Sequence, residues 1–172
     1  MENTIKADRL LKRIQHEEGF RAKAFWDSAK GSSQGQFTNG YGTRAKSKLE
    51  VLNEKDALIR CKAVLNDRIK NYLEIFNTRL NLINDVRAET IIQMMYVLGV
   101  GGFLGFRQFN RNLNNENINW SKVARELWDS EWRKQMDKVN SRRVLKLFVE
   151  LTTGEYYYSE KEVSNLSIQV IK

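Results

Sequence analysis

The apolar residues of this chain change their repeat twice, and the two changes leave few folds open to it. Ile5, Leu10, Leu11 and Ile14 follow helical spacing, so residues of about 4 to 17 read as an amphipathic helix that Gly19 stops. Between residues 20 and 46 the pattern becomes Phe25, Trp26, Phe37 and Tyr41 set among Gly31, Gly35, Gly40 and Gly42, which predicts a short, twisted antiparallel hairpin sheet. From Asn53 the helical repeat returns. Asn53 is placed to cap, Asp56 suits a first turn, and Ala57, Leu58, Cys61, Val64, Leu65, Ile69, Leu73 and Phe76 fall on one face. The expected fold class is therefore α+β. A small antiparallel β-rich lobe of about 19–50 joins, through a long helix over 53–76, a larger helical lobe made of 1–18 and 77–172, all in one domain.

After a connection at 77–83, a second capped helix is expected from Asn84 or Asp85, carrying Val86, Ile91, Ile92, Met95, Tyr96 and Leu98. It is apolar nearly all round, which places it at the middle of a bundle. Gly99, Gly101, Gly102 and Gly105 then break the chain into turns, and further helices are expected near 105–114, 119–131 and 140–150. With no proline in the chain, its turns must rest on glycine, asparagine and aspartate. The weakly patterned tail from Ser159 to Lys172 reads as an added strand or helix packing back, or as a loose end.

Composition removes several function classes. A lone histidine, His16, and a lone cysteine, Cys61, exclude the usual zinc sites, and Cys61 falls on the apolar side of its helix as a small core residue. No apolar run is long enough for a transmembrane helix, so no membrane insertion is expected. The polar start, Met1 to Asp8, lacks a secretory core, which predicts a protein made in the cytoplasm. A net charge of +8 favours a polyanionic partner, nucleic acid or anionic wall polymer, without choosing between them. Gly40 and Gly42 are not followed by the Lys-Ser/Thr of a phosphate loop, so no nucleotide is indicated.

The segment richest in chemistry runs from His16 to Thr43. Glu18 stands at the C-terminal edge of the first helix, Asp27 follows nine residues later, and Thr38 comes just before Gly40-Tyr41-Gly42. Two carboxylates in unlike surroundings are what cleavage of a glycosidic bond needs: one holds a proton for the leaving oxygen, the other stays ionised. The partly negative helix C-terminus opposes ionisation of a carboxyl placed there, and partial burial acts the same way, which makes Glu18 the candidate acid. An ion pair from Arg21 would act against both. Asp27 as a turn cap and Thr38 as an ordinary strand residue are the plain structural alternatives. Gly40 and Gly42 are expected to permit a tight bend that aims Thr38 and Tyr41 into a groove. Trp26, Tyr41, Trp128 and Trp132 could flank sugar rings, although core packing is the more common use of such residues. Lys23, Arg44, Lys46 and Lys48 form a cationic rim or a merely solvated one.

This segment resembles the active-site region of the phage-type lysozymes, the muramidase family that includes the T-even phage lysozyme. Members typically read Glu-Gly-x-Arg-x-x-x-Tyr-x-Asp, then a short hairpin, then Thr-x-Gly-Tyr-Gly; here Glu18-Gly19-Phe20-Arg21, Phe25-Trp26-Asp27 and Thr38-Asn39-Gly40-Tyr41-Gly42 hold those places. The similarity continues through Val86 to Gly99, Gly105 to Phe109, Ala124 to Trp132 and Asn140 to Arg143, and so spans roughly residues 5 to 158. It implies a two-lobed lysozyme-like fold with a cleft between the lobes, and hydrolysis of the β-1,4 bond between N-acetylmuramic acid and N-acetylglucosamine in bacterial peptidoglycan. By the same resemblance Glu18 is the proton donor, Asp27 orients a water or stabilises the developing cation with inversion, and Thr38 helps hold the water. Tyr41, Gly40 and Gly42 border the substrate, and an Arg of the late helical region, Arg142 or Arg143, contacts the acid. No cofactor or metal is implied, and the partner is peptidoglycan, met by a monomer, with nucleic acid not expected. An endolysin of this kind reaches the periplasmic wall from the host cytoplasm after pore formation, or travels in the virion.

Two departures stand out. The segment Ser28 to Phe37 is several residues longer than in the best-known members, and Thr43 stands where the family often has a histidine. Two rivals remain at this stage: a lytic transglycosylase acting on the same bond with a single acid, and a catalytically dead basic protein that binds wall polymer or nucleic acid.

Overall fold

The computed structural model describes residues 5–27 and 35–157, and the side chains of these other than 137–141. Within them the chain is α+β and mostly helical. Helix α1 (Ala7–Glu18) leads into strands β1 (Arg21–Asp27), β2 (Gln36–Gly40) and β3 (Thr43–Arg44), and then into the long α2 (Glu54–Ile75). A 3-10 turn (Leu80–Leu82) precedes α3 (Asp85–Leu104), α4 (Arg107–Leu113), α5 (Trp120–Trp128) and α6 (Glu131–Thr153). The expected tail element at 159–172 and the tip of the long hairpin segment, 28–34, lie outside the described residues.

The sheet is antiparallel in the order β1-β2-β3. Phe25 pairs with Thr38, Trp26 with Phe37 and Asp27 with Gln36, while the register shifts between Arg21 and Phe25. Residues 50–52 lie along β1 as well: the Ala24 N–H donates to the Glu50 carbonyl, the Leu52 N–H donates to that of Ala22, and Lys23 stands opposite Val51. The turn after β2 comes so close to α2 that a Cβ on Gly40, whose φ is +61°, would stand 3.1 Å from the Cβ of Ala57. Glycine is needed there for both the left-handed backbone and the space.

The caps are those the sequence predicts: the side chains of Asn53 and Asn84 accept the N–H of Asp56 and Arg87 and start α2 and α3. On α2 the buried positions are Ala57, Cys61, Leu65 and Tyr72, followed by the buried C-cap Phe76, whereas Leu73, expected inward, is exposed. The reason is helical drift: seven residues return almost to the starting direction, so Tyr72 continues the line from Leu65 and Leu73 turns away. Helix α3 is buried on all sides from Ala88 to Val97, as a bundle centre must be, and its expected break falls at Gly99, whose φ of +71° and ψ of 162° no helix contains.

The C-terminal half departs from expectation. The helix expected over 119–131 ends at Trp128, and α6 runs unbroken from Glu131 to Thr153 through residues read as a gap. Ser130 caps it by accepting the Arg133 N–H, and no glycine or proline lies inside it, so nothing in the backbone stops it before Gly154. No single helix among the described residues is long and apolar enough to cross a membrane.

Candidate active site

Glu18 is the last residue of α1. Gly19, at φ +64°, turns the chain out of the helix while its N–H still donates to the Gln15 carbonyl, and β1 begins two residues later. The Glu18 side chain is 7% exposed, and the Arg143 guanidinium of α6 reaches its Oε1 at 2.7 Å. Of the two late arginines that sequence left open, Arg143 is therefore the partner, and Arg142 is exposed. Arg21, the other candidate, is exposed and lays its guanidinium over the Phe25 ring, 4.4 Å from the centroid.

Neighbouring contacts make this one rung of a ladder. Glu17 Oε1 accepts from Lys146 Nζ at 2.6 Å, and Glu150 Oε2 accepts from Arg13 Nη2 at 2.6 Å. Glu150 also accepts from the Thr90 hydroxyl at 2.9 Å, and Arg9 Nη2 donates to Glu89 at 2.6 Å. Arg143, Lys146 and Glu150 thus share the side of α6 that faces α1. Burying charges is costly unless each has a partner, and here each acid of the ladder has a cation at ion-pair distance.

On the sheet, alternation and register put Asp27, Phe25, Gln36 and Thr38 on one face, with Trp26 and Phe37 on the other, their rings edge-on at 5.2 Å. Asp27 and Thr38 are diagonal neighbours across the strands, a relation that typically separates backbones by roughly 7–8 Å. Thr38 is fully buried, and its hydroxyl finds no hydrogen-bond partner among the described residues. Asp27 ends β1 and is half-buried.

Tyr41 is placed differently from the expected groove-lining ring. It is buried: its hydroxyl donates to Glu54 Oε1 at 2.7 Å, its carbonyl accepts from the Tyr96 hydroxyl at 2.7 Å, and its ring packs on Phe20. Desolvation, with the nearby Glu54 carboxylate, pushes its phenol up to about 12. It is a strut between the glycine turn, α2 and α3. Gly40 and Gly42 serve that turn, both with positive φ. Thr43, in the position of the family's histidine, is buried and donates to the Asn39 carbonyl at 3.2 Å. Of the four large aromatics weighed as sugar platforms, Trp132 and Tyr41 are buried and Trp128 packs against Phe148, which leaves Trp26, 54% exposed, as the open one.

Helical phase would have selected Arg143 in advance. Val144, Leu147 and Leu151 define the inward side of α6; Arg143 adjoins that line, and Arg142, roughly 200° from Val144, does not. The partners of Glu17, Glu89 and Glu150 left no trace in local pattern. No protein-family model matches the chain, and no curated protein matches it in sequence.

Proposed function

We propose that this chain is a peptidoglycan hydrolase with a lysozyme-like fold, cleaving the β-1,4 bond between N-acetylmuramic acid and N-acetylglucosamine as phage-type lysozymes do. The observation that carries the reading is the Glu18–Arg143 pair. A late arginine against the helix-end acid is what the resemblance asks for, and it is a contact no local sequence pattern can produce.

In this reading the Glu18 carboxylic acid gives its proton to the glycosidic oxygen as the bond to the anomeric carbon breaks. Burial and the end of α1 oppose a charge on Glu18, the Arg143 pair favours it, and the same guanidinium stabilises the carboxylate that proton transfer leaves. A water held between Asp27 and Thr38 attacks the anomeric carbon from the opposite side and passes a proton to Asp27, which gives inversion. The Thr38 hydroxyl, without a partner among the described residues, supports this, because a buried hydroxyl with an unfilled bonding position is poised to bind a water or a ligand.

Clearing of chloroform-treated Gram-negative cells by Glu18→Gln, compared with the parent, tests the assignment. A positioned acid contributes about 10²–10⁴-fold, so clearing falls by that order while the fold is kept. Parental clearing by the variant would overturn it, and wall fragments one water lighter than hydrolysis gives would replace the hydrolase with a transglycosylase.

A further inference from the structure

The segment from Arg44 to Val51 has no part in the proposed chemistry, yet its order is unusual. Its one acid, Glu50, turns inward: the carboxylate accepts two bonds from Arg60, at 2.7 and 3.0 Å, one from the Lys46 N–H at 2.8 Å and one from Asn39 Nδ2 at 3.2 Å. Residues 50–52 are then fixed along β1 by two backbone hydrogen bonds. The acid is thereby neutralised inside, and what the segment turns outward is cationic and aliphatic. Lys46 and Lys48 are exposed without an ion pair among the described residues, as is Lys23 across from Val51. Leu49 is 81% exposed and Val51 65%, the two largest exposures among the big apolar side chains of the described residues.

A pinned turn that leaves branched aliphatics and lysines exposed together within six residues, on a chain of net charge +8, calls for a partner with anionic groups above an apolar layer. Polymers offer only half of this. Nucleic acid and anionic glycan are gripped by cations and stacked rings, and neither rewards an exposed leucine and valine. We propose that the Lys46–Val51 turn, with Lys23 beside it, docks this protein on the surface of an anionic lipid bilayer, the lysines meeting phosphates and Leu49 and Val51 entering the interfacial layer. The docking is peripheral and independent of bond cleavage.

Sedimentation of the full chain with phosphatidylglycerol/phosphatidylcholine vesicles, against vesicles of phosphatidylcholine alone, tests this. The parent pellets with the anionic vesicles, and rising salt weakens the association. Lys46→Gln/Lys48→Gln lowers partitioning on the order of thirtyfold, and Leu49→Ser/Val51→Ser about tenfold or more. All four positions are exposed, so circular dichroism matching the parent is expected of both variants. Failure of the parent to bind anionic vesicles overturns the proposal. So does parental vesicle binding by Leu49→Ser/Val51→Ser, since a surface that needs only its lysines is a general polyanion site.

Discussion

The helix end that holds Glu18 and the sheet face that holds Asp27 and Thr38 are built in opposite ways. Around Glu18 the structure invests in distant partners: Arg143, Lys146 and Glu150 come from the other end of the chain to meet Glu18, Glu17 and Arg13. On the sheet, strand register makes Asp27 and Thr38 diagonal neighbours, and the Thr38 hydroxyl is left without a hydrogen-bond partner among the described residues. One half of the candidate site is fixed by buried charge, the other by backbone pairing. A group that must keep one orientation while its charge changes gains from several anchors. A pair that must admit a water gains from an unfilled bonding position.

The sharpest way to break the first half is to remove one charge from the ladder. Glu150 is fully buried and accepts from Arg13, from the Thr90 hydroxyl and from the Tyr157 N–H. Glu150→Ala leaves the buried Arg13 guanidinium with only its longer contact to Glu89, at 3.5 Å, and is expected to cost about 3–5 kcal/mol, read from urea or thermal unfolding. Arg13→Met/Glu150→Leu, which removes both charges, recovers much of that loss. If the single and double variants unfold alike, the ladder is not what holds α1 to α6.

The same contrast decides what could be read from sequence. The sheet, the caps at Asn53 and Asn84, the buried helix around Ile91 and the motif from Glu18 to Gly42 were legible, because each depends on residues close along the chain. Tyr72 in place of Leu73 was missed through the small drift of a helix that is not a whole number of residues per turn. The run of α6 through 132–139 was missed because a helix is continued by the absence of breakers as much as by apolar spacing. The ladder itself was hidden. A buried arginine and a solvated one are the same letter: helical phase separates Arg143 from Arg142, but only tertiary packing shows which acids Arg13 and Arg143 meet.

A smaller effect, with opposite signs on stability and activity, tests the sheet. Thr38→Val keeps the shape of the side chain and removes a buried hydroxyl that no described group satisfies. Thermal stability is expected to hold or rise, by about 1–2 kcal/mol, since an unpaired buried polar group carries a desolvation cost. Wall clearing should fall on the order of 10²-fold if the hydroxyl positions the attacking water. Loss of stability together with activity would mean that the hydroxyl is structural and that the two halves of the site are built alike.

The smallest effect sits beside the sheet, at Glu50, and its pH dependence separates it from the ladder. The Arg60 guanidinium, helped by the Lys46 N–H and Asn39, holds the Glu50 carboxyl at about 2, below its ordinary value of 4.5. The folded state therefore keeps Glu50 ionised at pH values where the unfolded chain has already taken up a proton. That contribution to stability is complete above pH 4.5 and is lost as the pH falls toward 2. It is on the order of 1 kcal/mol, because Arg60 stays within reach of water. Glu50→Gln should melt below the parent at neutral pH, and the gap should close on acidification from about pH 4.5 to 2. A gap that stays constant across that window would show that Glu50 holds the Lys46–Val51 turn by shape rather than by charge.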